Sequence, residues 1–141
     1  MLQTPLELML NEVRLLYQSM VQAGDQLHAE LNISMGMRAV LEYLAREGAT
    51  TVPDMARARR VSRQRIQSLV NALGEQQLIE AQANPRSKRS QLIAVTDKGR
   101  QTIEGMRREE GEFFNVSIAD ERIQETADVL KSVRLSIEEN L

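Results

Sequence analysis

Between Thr51 and Leu73 a short helix, a turn too tight to be a loop and a second helix follow one another with no spare residues. Thr51 can cap the first helix, Val52–Arg59, and leaves Pro53 and Asp54 in its first turn, where a fixed φ and a carboxylate are both favoured. The chain turns at Arg60-Val61, and Ser62 is placed to cap the next helix, expected over 62–76. Ile66, Leu69, Val70 and Leu73 recur there at i, i+3, i+4 and i+7, which makes one buried stripe. Met55 and Ala56 should face inward from the first helix, with Ala56 small where the two helices cross. Two helices joined so closely cross rather than run side by side, and the pattern is a helix-turn-helix. Two short apolar runs follow: Leu78, Ile79 and Ala81, then Leu92 to Val95. Pro85 in the connection Asn84–Arg89 disfavours a two-residue hairpin and predicts a longer, protruding loop. The fold class expected is mainly α with a small two- or three-stranded β wing: a winged helix-turn-helix.

Charge gives this module a direction. The chain as a whole is slightly acidic, with 18 Lys+Arg against 20 Asp+Glu. From Arg57 to Arg100, however, ten basic residues face three acidic ones, a local balance of +7 in a chain of net −2. A solvated helix face usually interleaves both signs. Arg57, Arg59, Arg60, Arg63 and Arg65 stand together with no acid among them, and five such cations call for an external anion. The exposed face of 62–76 offers Ser62, Arg63, Gln64, Arg65, Gln67, Ser68 and Asn71, and no acid until Glu75. Arg can pair with guanine, and Gln or Asn with adenine, through two hydrogen bonds each. The loop 84–90 adds Arg86, Lys88 and Arg89. A helix able to enter the major groove and a basic loop able to reach the adjacent minor groove make double-stranded DNA the expected partner.

Long helices flank the module. Pro5 suits the first turn of a helix opened by Thr4, along which Leu6, Met9, Leu10, Val13, Leu16, Tyr17, Met20 and Val21 form one stripe ending near Gly24 or Leu31. Ser34 caps a helix carrying Met37, Val40, Leu41 and Leu44, which Gly48 closes. After the second strand Thr96 opens another helix. Gly99 in its first turn implies close approach to a neighbouring backbone, and its stripe is Ile103, Met106 and Phe113 or Phe114. A break at Val116–Ala119 precedes a last helix with Ile123, Ala127, Leu130, Val133 and Ile137 on one side. Two arms with more apolar surface than so small a domain needs predict a homodimer. The expected organisation is one domain, 1–141, with the reading unit at 34–99 and dimerisation helices at 1–31 and 100–141.

Several function classes are disfavoured. With no cysteine there is no thiolate nucleophile, zinc-finger ligand set or thiol switch, and one histidine, His28, cannot hold a metal alone. No catalytic residue, metal or cofactor is expected, since HExxH, a phosphate-cradling glycine loop and a Ser/His/Asp set are all missing. The acid pairs Glu109-Glu110 and Glu138-Glu139 read as surface charge, and His28 as a surface or half-buried polar residue. Aromatics at 3% argue against single-strand recognition by base stacking. No apolar run reaches 18 residues, and MLQTPLELMLNEVR has neither the basic start nor the small-residue cleavage site of a secretory signal. A cytoplasmic location, with no membrane partner, is therefore expected.

The stretch MARARRVSRQRIQSLVNALGEQQLIEAQANPRSKRSQLIAVTDKGR resembles the MarR family of winged-helix transcriptional regulators, and the likeness extends over nearly the whole chain. Asn84, Arg86 and Arg89 stand at the Asp, first Arg and second Arg positions of the family's wing, and Thr96 and Gly99 match the cap and glycine of the following helix. The resemblance implies a minor-groove contact by Arg86 or its neighbour, with Arg89 stiffening the wing or touching phosphate. Asn84 and Ser87 replace the wing's usual acids, so a bond from Asn84 to an arginine would be neutral. Arg60 and Gln77 stand where glycine is common, and a φ > 0 at Arg60 would cost on the order of 1 kcal/mol. Family members are typically homodimeric repressors, and many are released by small, often anionic aromatic ligands. By that resemblance Tyr17, Met20, Met37 and Arg38 are effector-pocket candidates. The competing reading is a winged-helix adapter or antirepressor, which should display exposed Leu, Phe or Met anchors where this helix displays arginines and amides.

Overall fold

The computed structural model describes residues 3–141; Met1 and Leu2, the first two positions of the expected 1–31 arm, lie outside the described residues. Six α-helices and one antiparallel strand pair run in the order α1 (Pro5–Leu27), α2 (Met35–Glu47), α3 (Val52–Arg59), α4 (Arg63–Glu75), β1 (Ile79–Gln82), β2 (Leu92–Val95), α5 (Asp97–Phe113) and α6 (Asp120–Glu138). A single 3-10 turn, Ala29–Leu31, separates α1 from α2. The residues up to Gly111 form one compact unit and Glu112–Leu141 a second.

Side-chain caps start five of these helices. Thr4 and Glu7 satisfy each other's backbone N–H groups, and the backbone hydrogen bond from Thr4 holds the Glu7 carboxyl below its ordinary range. Ser34, Thr51 and Ser62 each accept from the N–H three residues on, at 3.2, 3.2 and 3.1 Å. Such caps contribute about 1 kcal/mol apiece and fix where α2, α3 and α4 begin. Thr96 does the same for α5, accepting from Gly99 N–H at 3.0 Å.

The first unit's core joins one face of α2 (Met37, Val40, Leu41, Leu44) to Met55 and Ala56 of α3 and to the α4 stripe Ile66, Leu69, Val70 and Leu73. Leu78, Ile79 and Ile93 close it from the strands, and Ile103 and Met106 from α5. Fully burying each Leu or Ile is worth about 1.5–3 kcal/mol, so this cluster carries the fold. β1 pairs with β2 from Ile79↔Val95 to Gln82↔Leu92. The wing has two strands rather than three. Among the described residues an isolated bridge from Thr50 to Ile93 is all that lies beside them, and the first strand begins at Ile79 rather than Leu78.

Among the described residues three that are not glycine, Asn32, Arg60 and Gln77, have φ between 52° and 60°. Arg60 closes α3 in that left-handed conformation, as its place in the turn implied, and Val61 N–H returns to Ala56 at 3.0 Å. Gln77 ends the link from α4, and Leu78 N–H bonds back to Leu73. Gly99 lies so close to β1 that an added Cβ would sit 2.0 Å from the Leu78 carbonyl oxygen.

The flanking helices are amphipathic but largely uncovered. Along α1 only Ala23 is buried, while Leu6, Val13, Leu16, Tyr17 and Met20 are exposed. α6 has no buried residue along its nineteen-residue length. The stripe expected on α5 stops short: Ile103 and Met106 are buried, but Phe113 and Phe114 are exposed and pack edge to face on each other, 5.5 Å between ring centres.

Candidate nucleic-acid interface

The Ser62 cap aims the α4 axis, and the buried stripe then leaves Arg63, Gln64, Arg65, Gln67, Ser68 and Asn71 facing outward. Ser62 itself spends its hydroxyl oxygen on Arg65 N–H, so its role in the isolated chain is structural. Beside this face runs the wing loop between β1 and β2. A cleft of about 680 Å³ opens between the two, lined by Arg63, Gln64 and Gln67 from α4, by Lys88, Arg89, Ser90 and Gln91 from the wing, and by Val52, Pro53 and Ile93 at its floor. No carboxylate lines it. Three cations on opposing walls with no acid between them make a site of positive potential, and the amides supply donors and acceptors at fixed places.

The expected residues do not all meet there. Gln67 donates to Asn71 Oδ1 at 2.8 Å, so the two amides form one pre-oriented pair along the helix. Arg65 departs from the group. Its guanidinium lies against Gly36 of α2, where an added Cβ would stand 3.1 Å from Nη2, and it does not line the cleft. Ser68 is exposed on α4 and Arg86 on the wing, both outside the cleft lining. Val52, Pro53 and Gln91 line the cleft unforeseen. Their residue types signalled a helix start and a strand edge, and only the fold brings them to the groove floor.

The five clustered arginines are not all without internal partners. Arg57 pairs with Asp54 at 3.0 Å, one turn back on α3, and Arg59 lies 5.9 Å from the centre of the Tyr43 ring. The acid that pairs with Arg57 stands three residues ahead of the acid-free run 57–65. Among the described residues, Arg60, Arg63, Arg65, Arg86, Lys88 and Arg89 make no ion pair.

The effector-pocket candidates have different surroundings. Tyr17 and Met20 are exposed on α1, whereas Met37 is buried in the core. Arg38 grips both oxygens of Glu110 and also bonds Glu42 at 2.6 Å. Glu110 further meets His28 Nε2 at 3.0 Å, and Glu109 lies 3.6 Å from His28 Nδ1. Burial pushes the Glu110 carboxyl up, but the hydrogen bonds and charges of Arg38 and His28 outweigh it and hold it below the ordinary range. The bond to Glu110 also raises the Arg38 guanidinium. Two expectations are thereby corrected: His28 is 3% exposed rather than at the surface, and Glu110 is a half-buried junction rather than surface charge. The partners are separated by 72 and 82 residues, so no local pattern announces them. No group of three His, Cys, Asp or Glu side chains suited to a metal occurs among the described residues, and no helix is long and apolar enough to cross a membrane.

Residues 38–90 match the family model described as MarR family. No curated protein matches the sequence. Among solved structures, the transcriptional regulator SlyA is similar with TM-score 0.81 and 20% identity, over 94% of this chain and 95% of that one. Staphylococcus aureus MepR in complex with DNA gives 0.75 and 20%, over 90% and 96%. A Staphylococcus aureus MarR solved with salicylate and kanamycin gives 0.79 and 19%, over 94% and 92%. The likeness covers both flanking helices as well as the winged module, and the resemblance read from the sequence holds.

Proposed function

From a winged-helix protein of the MarR type, we propose a sequence-specific, double-stranded-DNA-binding transcriptional regulator that acts as a homodimeric repressor. The observation that carries this reading is the acid-free cleft between α4 and the wing, walled by Arg63, Lys88 and Arg89 and furnished with Gln64 and Gln67. In this account α4 enters the major groove, where Arg63, Gln64, Gln67 and Asn71 read base edges. Ser62, Arg65 and Ser68 meet the backbone beside it. Arg86, Lys88 and Arg89 carry the wing along the adjacent minor groove and its phosphates. The exposed apolar stripes of α1 and α6 bury one another's copies in a dimer, and a two-fold axis then presents two reading helices about one helical turn apart to a pseudo-palindromic operator.

The solved relative that holds salicylate supports release by a small ligand, for which Tyr17, Met20, Met37 and Arg38 are the candidate contacts, the first two being exposed. The function proposed is binding rather than catalysis. Selection of bound sequences from random duplex DNA by the purified protein, at physiological salt, tests the reading. Recovery of an inverted repeat with half-sites about 10 base pairs apart supports it. Recovery of no preferred sequence, with no retention of duplex, overturns it in favour of a protein-contact role.

A further inference from the structure

The wing joins β1 to β2 through a stretch in which no acid occurs between Glu80 and Asp97, while Arg86, Lys88 and Arg89 all fall within it. A loop carrying three like charges tends to splay, because each cation lowers its energy by moving away from the others. This loop is nevertheless closed by one side chain. Asn84 donates through Nδ2 to the Ser90 carbonyl at 2.9 Å and accepts at Oδ1 from Arg86 N–H at 3.0 Å. Ser87 adds a second, smaller turn, accepting from Arg89 N–H at 3.1 Å. Asn84 is half-buried, whereas Arg86, Lys88 and Arg89 are exposed and make no ion pair among the described residues.

We infer that Asn84 is the positioning residue of the wing: its neutral amide clasps the loop's two ends while leaving all three cations un-neutralised for an external polyanion. Only an amide does both. A carboxylate at the same place accepts from Arg86 N–H, but it cannot donate to the Ser90 carbonyl and would draw a wing arginine into an internal pair. A neutral clasp thus sets the charge the wing delivers as well as its shape. The DNA half of this inference rests on the function proposed above; the clasp itself is a property of the free protein.

Two variants and two readouts test it. Amide exchange in the free protein should show Arg86 N–H protection lost in Asn84→Ala and retained in Asn84→Asp. In duplex titrations Asn84→Ala should weaken binding several-fold with an unchanged salt slope. Asn84→Asp should weaken it and also flatten the slope by about 2, one cation per wing in a dimer at about 0.9 each. Unchanged Arg86 protection in Asn84→Ala overturns the clasp, and a wild-type slope in Asn84→Asp overturns the charge claim. A wild-type protein that binds no duplex overturns the functional reading and the DNA half together, while the exchange experiment still decides the clasp.

Discussion

The guanidinium of Arg38 holds both carboxylate oxygens of Glu110, tying the first turn of α2 to the last turns of α5 across 72 residues of sequence. His28, at the C-terminal end of α1, meets the same carboxylate. One half-buried acid therefore joins three helices of the first unit, and the module that bears the cleft is fastened to both neighbouring helices through it.

Replacing Glu110 by Gln should accordingly destabilise the fold by about 1–3 kcal/mol at neutral pH, since it leaves Arg38 and His28 without their shared charge. The pH dependence follows from the sign of the shift. The folded carboxyl sits below its ordinary value of 4.5, so its contribution is complete above that value and lost as pH falls through the lower, folded one. Urea unfolding of wild type and Glu110→Gln should show a gap that is constant from pH 7 to about pH 5 and closes below pH 4.5. A gap that does not change between pH 7 and pH 3 contradicts the pairing.

Gly99→Ala should be among the most damaging small substitutions, costing on the order of 3 kcal/mol, because the new methyl meets the Leu78 backbone oxygen, which already accepts from Thr96 N–H just ahead of β1. Gly24→Ala is the control: it adds a methyl into open space near the end of α1 and should be neutral or stabilising by up to about 1 kcal/mol. Thermal unfolding of both proteins reads the difference, and a Gly99→Ala protein as stable as wild type is the adverse result.

Gln77 carries a φ of 60° with an ordinary side chain. Gln77→Gly should raise stability by about 0.5–1 kcal/mol, and Gln77→Val should lower it by more than that, because β-branching is least tolerated in left-handed backbone. Denaturant midpoints falling in the order Gly, Gln, Val agree with this; the reverse order does not.

How far such features could be read in the sequence depended on how local their causes are. The caps at Thr4, Ser34, Thr51, Ser62 and Thr96 act within three residues and were all legible, as were the stripe Ile66, Leu69, Val70, Leu73 and the crowding at Gly99. What remained hidden is long-range or orientational. Glu110 sits in a run of acids and arginines that resembles any solvated helix face, and only its meeting with Arg38 and His28 marks it. Arg63 and Arg65 look equivalent in sequence, yet their positions on α4 send one into the cleft and the other against Gly36. Phe113 and Phe114 continue a helical period, yet both are exposed.

Side chains of the wing and of α4 should separate by role. Arg86→Ala or Lys88→Ala should weaken duplex binding almost equally for every sequence, whereas Arg63→Ala, Gln64→Ala or Gln67→Ala should change which bases are preferred, at about 1–3 kcal/mol per lost base contact. Repeating the sequence selection with each variant measures this. Equal losses on all sequences from every substitution would contradict the division of labour.

The electrostatic origin of binding is tested most directly by titrating the selected duplex with the wild-type protein across 50 to 300 mM salt. About eight cationic phosphate contacts in a dimer predict a log–log slope near −7. Tight binding with a slope close to zero would mean that Arg63, Arg86, Lys88 and Arg89 are not the surface that meets the DNA.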